Sequence, residues 1–435
     1  MKKIKIILPL ILVFSIIFTP LTTRAYEADG VEIQSKSAIL YSLDTNDVMY
    51  SKNADEQRYP ASLTKLMTAV ITVENCDDID KKIIINSDDF AEISGSGATV
   101  ANLKDGEEIT IRDLLNLLLI SSSADAADSL AAYIGGSVDN FVKMMNEKAA
   151  SLKMNNTHFM NAHGLHDDNH YTTANDMLKL AVYVTKMPVI MEICARSSYK
   201  TEATNKSDSR NVTTTNMLQD ASTAYYYKYA RGMKTGFTTP AGRCLISTAS
   251  YKGYNYLCVI LGGDDSVRSE YSDTKALYRW AFLNFEFRKI ADVNDVIDEI
   301  NVELSWDTDH IQLFPEKQVN AIVPSDISNS SIVTDVVLNS DSVNAPIEKG
   351  QVMGYVRFVC AKEEIARVNL VANEKVDRSV ILLIKQTAIS IVSNQIFKLL
   401  VLALVLLFIA MIIVNIIHNR RKRRQVKRVR RIRRY

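Results

Sequence analysis

The chain has 435 residues and a formal net charge of +1, and its length is sufficient for two domains. Four basic residues in 1–25 and eleven in 420–435 leave 36 bases against 50 acids between them, about −14, which argues against nucleic acid as a partner. Five cysteines are too few for a disulfide scaffold, although a single bridge stays open.

The N-terminus has the order of a secretory signal peptide. Lys2, Lys3 and Lys5 precede an apolar run over 6–18, and a small residue, Ala25, marks the expected cleavage site. The alternative is a retained N-terminal anchor, but the apolar run is short for a membrane span. We therefore predict that residues 1–25 are removed.

The next part of the chain alternates strand and helix patterns. Apolar alternation and turn residues predict two strand pairs, and longer apolar runs predict helices, the second of them interrupted at 121–123. The predicted strands are 38–43, 47–52, 243–250 and 254–262, and the predicted helices are 61–73, 111–134 and 272–285.

After about residue 292 the helical pattern disappears. Val, Ile and Thr alternate with polar residues, which predicts a small all-β domain. Its expected strands are 300–304, 318–323, 332–338, 352–360 and 366–370. The segment 345–350 is expected to form a turn that leads into a strand.

The C-terminal end predicts a membrane anchor. Residues 399–417 are apolar except for Asn415, and at about 1.5 Å per residue they match a hydrocarbon core of roughly 30 Å. The basic segment that follows is typical of a cytoplasmic tail, which places the body of the chain outside the membrane. The predicted divisions are a signal peptide over 1–25, a first domain over 26–291, the β domain over 292–385, a connector over 386–398, a transmembrane helix over 399–417 and a tail over 418–435.

A serine three residues before a lysine occurs three times, at Ser62, Ser197 and Ser272, so the spacing alone decides nothing. Ser62 differs because Pro60 favours a helix start and apolar residues follow it. A hydroxyl needs a base to become a nucleophile, and Lys65 can be that base only if burial or a second cation lowers its pKa. A second lysine should therefore lie nearby.

Lys234 is the candidate for that second lysine. It begins a Lys-Thr-Gly triplet on a predicted strand, where Gly236 lets a ligand approach the backbone. The combination of this triplet, Ser62 with Lys65 on an apolar helix, and the serine cluster at 121–123 is far more specific than any one of them.

With these elements the chain resembles the low-molecular-mass penicillin-binding proteins, which are serine-type D-alanyl-D-alanine carboxypeptidases. The resemblance covers about residues 30–385 and includes PASLTKLMTA, GEEITIRDLLNLLL, HYTTANDM, GMKTGFTTPAGRCL and LGGDDSVRSE. It implies an α/β, β-lactamase/transpeptidase-like domain with an antiparallel sheet flanked by helices, then the β domain and the membrane helix. No cofactor is implied.

The resemblance also implies a role for each residue of the site. Ser62 would be the nucleophile, Lys65 its base, and Ser122 a proton relay to the leaving amine. The backbone N–H groups of Ser62 and Phe237 would form the oxyanion hole. The substrate's carboxylate would be held by residues of one strand, namely Lys234, Thr235, Gly236, Phe237 and Thr238.

One departure concerns the middle element, which in the family is Ser-x-Asn followed by Asp-Ala. Here Ser122 and Asp125 align, but Ala124 replaces the asparagine whose amide contacts the substrate and the base lysine. Starting at Ser121 instead restores a short polar group at Ser123 and loses the alignment of Asp125. Both registers stay open.

Four histidines, His158, His163, His166 and His170, could suggest a metal site. None of them has the His-Glu-x-x-His pattern of a helical zinc site, and the family resemblance implies a structured loop here. We therefore expect no metal.

The predicted function is removal of the terminal D-alanine from peptidoglycan stem peptides, with covalent inhibition by β-lactams. Two alternatives remain: a degenerate protein that binds wall peptides without efficient turnover, which Ala124 favours, and a β-lactamase, which the β domain and anchor disfavour. The predicted location is the cell membrane, single-pass, with the catalytic domain on the extracellular face. The sequence does not predict the oligomeric state.

Overall fold

The computed structural model of the protein describes residues 31–360 and 362–432, so the predicted signal peptide lies outside the described residues. The described chain forms two compact units. The first contains residues up to 287 together with 322–326, and the second contains 288–321 together with residues from 327 onward.

The first unit combines an antiparallel sheet with helices. Its strands are β1 (Ser37–Ser42), β2 (Val48–Lys52), β3 (Lys82–Ile84), β4 (Glu108–Thr110), β5 (Ser198–Lys200), β6 (Asn211–Thr213), β7 (Ala230–Thr238), β8 (Gly242–Tyr251) and β9 (Tyr254–Gly263). Its helices are α1 (Lys65–Glu74), α2 (Ile111–Ile120), α3 (Ala124–Gly135), α4 (Val138–Ser151), α5 (Ala174–Val184), α6 (Pro188–Cys194) and α7 (Ser269–Asn284), with 3₁₀ helices at Ala61–Thr64 and Ser87–Ile93.

Within the described residues, the main sheet of this unit has the strand order β2-β1-β9-β8-β7. Side chains alternate between its two faces, as a pleated strand requires. Ile39 and Val259 pack with α1, α2, α3 and α5 on one face. Leu40 and Ile260 pack with α7 on the other. The α/β fold of helices around an antiparallel sheet, expected from the sequence, is confirmed.

The predicted helix at 61–73 begins differently from the expectation. Residues Ala61–Thr64 form a 3₁₀ helix, and the α-helix starts only at Lys65. In a 3₁₀ helix residues i and i+3 are eclipsed, so Ser62 and Lys65 lie on the same side. The predicted helix at 111–134 divides at the serines, as expected, into α2 and α3.

The second unit is mainly β structure. The strands that lie wholly or partly in this unit are β10 (Phe285–Ala291), β11 (Asp298–Glu303), β12 (His310–Pro315), β13 (Val319–Pro324), β14 (Ile332–Leu338), β15 (Ser342–Asn344), β16 (Val352–Cys360) and β17 (Glu363–Ala372). Six of the described strands form a sheet in the order β14-β16-β17-β12-β11-β15 around a core that includes Leu313 and Val356. The chain passes between the units within β10 and β13.

Two helices follow the β strands, α8 (Val380–Ser393) and α9 (Gln395–Ile432). The structure differs here from the sequence prediction, because residues 380–385 were expected in the β domain and are helical. The predicted connector, 386–398, likewise lies in these helices. Residues Gln395–Arg421 of α9 are long and apolar enough to cross a membrane.

All five cysteines, Cys76, Cys194, Cys244, Cys258 and Cys360, have free thiols. Burial raises the pKa of Cys194, Cys244 and Cys258 to about 12. No bridge therefore contributes to the fold.

Candidate active site

A cavity of 660 Å³ opens between the 3₁₀ helix that carries Ser62, the start of α3 and the edge strand β7. The predicted site residues that line it are Ser62, Lys65, Ser122, Thr235, Gly236, Phe237 and Thr238. Lys234 is 1% exposed and lies on β7 behind this surface. Ser197 and Ser272 are exposed and do not line the cavity.

Ser62 and Lys65 are in direct contact. The Nζ atom of Lys65 lies 3.1 Å from Oγ of Ser62 and donates to the carbonyl oxygen of His163 at 2.5 Å. Lys65 is 2% exposed, and burial lowers its pKa to about 7, with a second contribution from the charge of Lys234. The second amine that the chemistry required is therefore present.

Hydrogen bonds between His170, Thr64 and Ala61 hold the 3₁₀ helix in place. Oγ1 of Thr64 donates to the carbonyl of Ala61, while Nε2 of His170 lies 2.8 Å from the same hydroxyl. Nδ1 of His170 accepts from the N–H of Met160, so Nε2 carries the proton and donates to Thr64. Ala61 has φ of +48°, a strained value for a residue with a side chain, which this packing maintains.

Gly236 lies against the backbone of the nucleophile. A Cβ atom at this position would come within 3.0 Å of the Ser62 nitrogen and 3.1 Å of the Pro60 carbonyl oxygen. A side chain here would crowd the backbone around Ser62, so glycine lets β7 lie this close without displacing it. Among the described residues β7 pairs with β8 alone, so its other edge faces the cavity.

The structure distinguishes the two possible registers of the middle element. Ser122, with φ of +66°, and Ala124 line the cavity, and Ser121 and Ser123 do not. Oγ of Ser121 donates to the carbonyl of Leu117 and lies 2.9 Å from Oγ of Ser123. The geometry thus favours the register that begins at Ser122, with Ala124 at the third position.

Asp125 positions the opposite wall of the cavity. Its two carboxylate oxygens accept from the N–H groups of Ala101 and Leu103 at 2.9 and 3.1 Å, and the N–H of Ala124 donates to Thr99 at 2.7 Å. These bonds tie the start of α3 to the 96–103 segment, of which residues 96–99 line the cavity.

Other lining residues were not predicted from the sequence. Arg243 pairs with Asp265 and lies 4.1 Å above the ring of Phe237, while Arg268 lines the cavity beside Glu270. Burial raises the pKa of Glu270 to about 6. Arg268 lies in the quoted LGGDDSVRSE motif, but a motif does not reveal which of its side chains faces the cavity.

The four clustered histidines each have a different partner. Nδ1 of His158 lies 2.8 Å from the carbonyl of Asn169, and His166 lies 3.4 Å from Asp168. The carbonyl oxygen of His163 accepts from Lys65, and Nε2 of His170 contacts Thr64 in the 3₁₀ helix that carries Ser62. Among the residues with described side chains, no group of three or more His, Cys, Asp or Glu could hold a metal ion.

The chain is similar to known proteins over most of its length. A family model described as D-alanyl-D-alanine carboxypeptidase matches residues 22–265, and one described as penicillin-binding protein 5, C-terminal domain, matches 285–378. The chain is 28% identical to the D-alanyl-D-alanine carboxypeptidase DacF of Bacillus subtilis over 80% of this chain and 87% of the relative. It is 34% identical to the D-alanyl-D-alanine endopeptidase of Escherichia coli over 52% of this chain and 70% of the relative.

Among solved structures, penicillin-binding protein 5 from Haemophilus influenzae matches with a TM-score of 0.66 and 26% identity. The match covers 80% of this chain and 98% of that chain. Both the sequence and the fold thus point to the same group of proteins.

Proposed function

The chain belongs to the D-alanyl-D-alanine carboxypeptidase family of serine peptidases, and we propose that it removes the terminal D-alanine from peptidoglycan stem peptides through an acyl-enzyme on Ser62. The observation that carries the proposal is the 3.1 Å contact between Oγ of Ser62 and Nζ of a buried lysine whose pKa is lowered to about 7. A lysine in this state is a base at neutral pH.

In the proposed reaction, Oγ of Ser62 attacks the carbonyl carbon of the last peptide bond while its proton moves to Nζ of Lys65. The carbonyl π electrons move to the oxygen, which becomes an oxyanion. When the carbonyl re-forms, the C–N bond breaks and the amine of D-alanine leaves with a proton relayed through Ser122. Water then attacks the ester, and Ser62 recovers its proton.

The oxyanion is assigned to the backbone N–H groups of Ser62 and Phe237. The close approach of Gly236 to the Ser62 nitrogen supports this assignment, because it brings the two segments of backbone together. Preorganised donors of this type usually make the largest single contribution to the rate.

The free carboxylate of the substrate is assigned to the cationic side of the cavity. Lys234 supplies buried positive charge, the hydroxyls of Thr235 and Thr238 are polar contacts, and Arg268 adds a guanidinium. A peptide that ends in a carboxylate fits this charge, whereas an amidated peptide does not. The same features suit β-lactams, which carry a carboxylate beside a reactive carbonyl.

The apolar helix at Gln395–Arg421 supports anchorage in the cell membrane. We propose a single pass, with the catalytic unit on the extracellular face and the basic segment after the span in the cytoplasm. This orientation gives the site access to the cell wall.

The proposal is tested with a fluorescent penicillin on the full-length protein in detergent. We expect Ser62→Ala to abolish covalent labelling, while Ser197→Ala and Ser272→Ala, which change the other serines with the same spacing, leave it intact. Labelling that survives in Ser62→Ala would refute the assignment of the nucleophile.

Peptide turnover separates the proposed activity from its alternatives. Steady-state release of D-alanine from a stem pentapeptide is expected. Labelling without release would favour a binding-only protein, and rapid loss of the bound penicillin would favour a β-lactamase. Cleavage of a cross-linked muropeptide without D-alanine release would favour an endopeptidase.

A further inference from the structure

A buried carboxyl group beside the site has no assigned role. Asp128 lies on α3, one helical turn after Ala124 and on the same face, and it is 4% exposed. Among the described residues its Oδ1 atom has no hydrogen-bond partner, and its Oδ2 atom lies 3.7 Å from Nε2 of His163. An unsatisfied buried carboxyl destabilises a fold, so its presence calls for an explanation in terms of function.

His163 connects Asp128 to the base. Its carbonyl oxygen accepts from Lys65, and its Nδ1 atom accepts from the N–H of Leu165 at 3.1 Å. Because Nδ1 is an acceptor, the proton of the neutral ring is on Nε2, which faces Asp128. The peptide unit of His163 therefore contacts Lys65 while its ring faces the carboxyl group.

We propose that Asp128 is a positioning residue for Lys65, whose negative charge stabilises the ammonium that forms when Lys65 takes the proton of Ser62. The proposal rests on the proposed function and adds a group to its proton transfer. The proton moves from Oγ of Ser62 to Nζ of Lys65 as the Oγ–C bond forms, and Asp128 gains no atom. Its contribution is electrostatic, both directly and through the orientation of His163.

The surroundings of Asp128 allow its charge to change near neutral pH. Burial raises its pKa to about 8, Lys65 opposes this rise, and Asp125 on the same helix and Glu92 and Asp89 on the 3₁₀ helix Ser87–Ile93 add to it. Since the pKa of Lys65 is lowered to about 7 by burial and by Lys234, the two groups titrate over the same range. His163 has its pKa lowered to about 3 and stays neutral there.

The position of Asp128 also relates it to the unusual Ala124. An alanine side chain offers no polar atom to Lys65, whereas Asp128 places a carboxyl group on the same face of α3. The electrostatic effect of Asp128 on Lys65 favours the charged amine. Asp128 thus offers the base an electrostatic attraction that the third position of the motif does not.

The test is the pH dependence of acylation in full-length Asp128→Asn. The second-order rate constant for labelling by the fluorescent penicillin is measured from pH 5.5 to 9.5. Losing the carboxylate removes an attraction for the ammonium, so we expect the acidic limb to move to lower pH by a few tenths of a unit to about one unit. Because Lys65 becomes a weaker base, the maximal rate should fall by up to about tenfold.

Asp176→Asn is the matched control. Asp176 is also buried, but it lies on α5 and accepts from the N–H of Asn156 and the hydroxyl of Thr157. This variant should lower Tm and leave the acidic limb in place. If Asp128→Asn does not fold, Asp128→Ser removes the same charge with a smaller side chain.

Two results would overturn the proposal. An acidic limb that stays in place in Asp128→Asn would mean that the group is neutral throughout or only structural, even if Tm changes. An acidic limb that moves to higher pH would mean that the Asp128 carboxylate disfavours the Lys65 ammonium, which is the opposite of the proposed effect. If the wild type is not labelled at Ser62, the proposed function fails as well, whereas normal wild-type labelling with superimposable profiles refutes this inference alone.

Discussion

Replacing Lys234 by methionine should make the protein more stable while it loses activity. Lys234 is 1% exposed, and its Nζ atom donates to the carbonyl of Thr235 at 2.9 Å. Among the described side chains no carboxylate forms an ion pair with it. Burial consequently lowers its pKa from 10.5 to about 7, because the low-dielectric interior disfavours the ammonium.

The size of the effect follows from proton linkage. Between pH 7 and 10.5 the unfolded chain binds more protons at this lysine than the folded chain, so folding stability rises with pH over that range. Below pH 7 the ammonium destabilises the folded state by the full shift, on the order of 5 kcal/mol. At pH 9 the cost is about 2 kcal/mol, and above pH 10.5 it approaches zero.

Methionine has nearly the same length and no charge, but it loses the bond to Thr235. We therefore expect Lys234→Met to gain about 2–4 kcal/mol at pH 6, which corresponds to roughly 4–16 °C in Tm for a domain of this size. Thermal unfolding of the full-length protein in detergent at pH 6, 7, 9 and 10 measures this gain, which should shrink as pH rises. Penicillin labelling of Lys234→Met should be weaker than that of the wild type.

The exposed Lys200 provides the control, since Lys200→Met should change Tm little at any pH. A Lys234→Met protein that is no more stable at pH 6 than the wild type would refute the reasoning. So would a gain that stays constant up to pH 10, because a change in packing alone does not follow the titration of an amine.

Three further predictions concern the middle element, the nucleophile and the membrane. Ala124→Asn should raise peptide turnover about three- to tenfold, because an amide can bond both the substrate and Lys65, and unchanged D-alanine release would contradict this. Gly164→Ala should abolish penicillin labelling, since its Cβ would lie 2.1 Å from the Ala61 carbonyl oxygen. Gly253→Ala is the control, because Gly253 also has positive φ but open space around it, and this variant should label normally. Equal labelling of the two variants would argue against steric displacement of the nucleophile. Protease added outside intact cells should remove the catalytic unit and spare a tag on the C-terminal tail, whereas loss of the tag first would reverse the orientation.

The parts of the site that the sequence predicts are those governed by local pattern. Ser62 and Lys65 lie three residues apart on one apolar segment, and the Lys-Thr-Gly triplet lies on a strand of a hairpin. Local spacing determines which side chains share a face, so these residues meet as expected. Gly236 could be interpreted in the same way, as a position for close backbone approach.

The remaining features depend on contacts between distant segments. Asp128 and His163 are 35 positions apart, and neither the lack of a partner for Oδ1 nor the link to Lys65 has a signal in the sequence. The helix α8 was missed for another reason. Its β-branched residues fit a strand as well as a helix, and short apolar runs do not distinguish the two.

In the second unit, strand β12 was also not predicted. Its six residues begin at His310 and end at Pro315, and proline is depleted in strands. The short strand β15 has only three residues, too few for a periodic pattern to appear. Both strands pair with β11, so their place depends on tertiary pairing more than on local propensity.

The free thiols have a consequence for where such an enzyme can work. Thiolates react with oxidants and alkylating agents, and thiols do not. Since Cys194, Cys244 and Cys258 are held in the thiol form by burial, these side chains are inert, and no bridge exists for a reductant to open. These three thiols should therefore not respond to changes of redox potential around the cell, so that any effect of oxidation on the catalytic unit would have to come from the half-exposed Cys76.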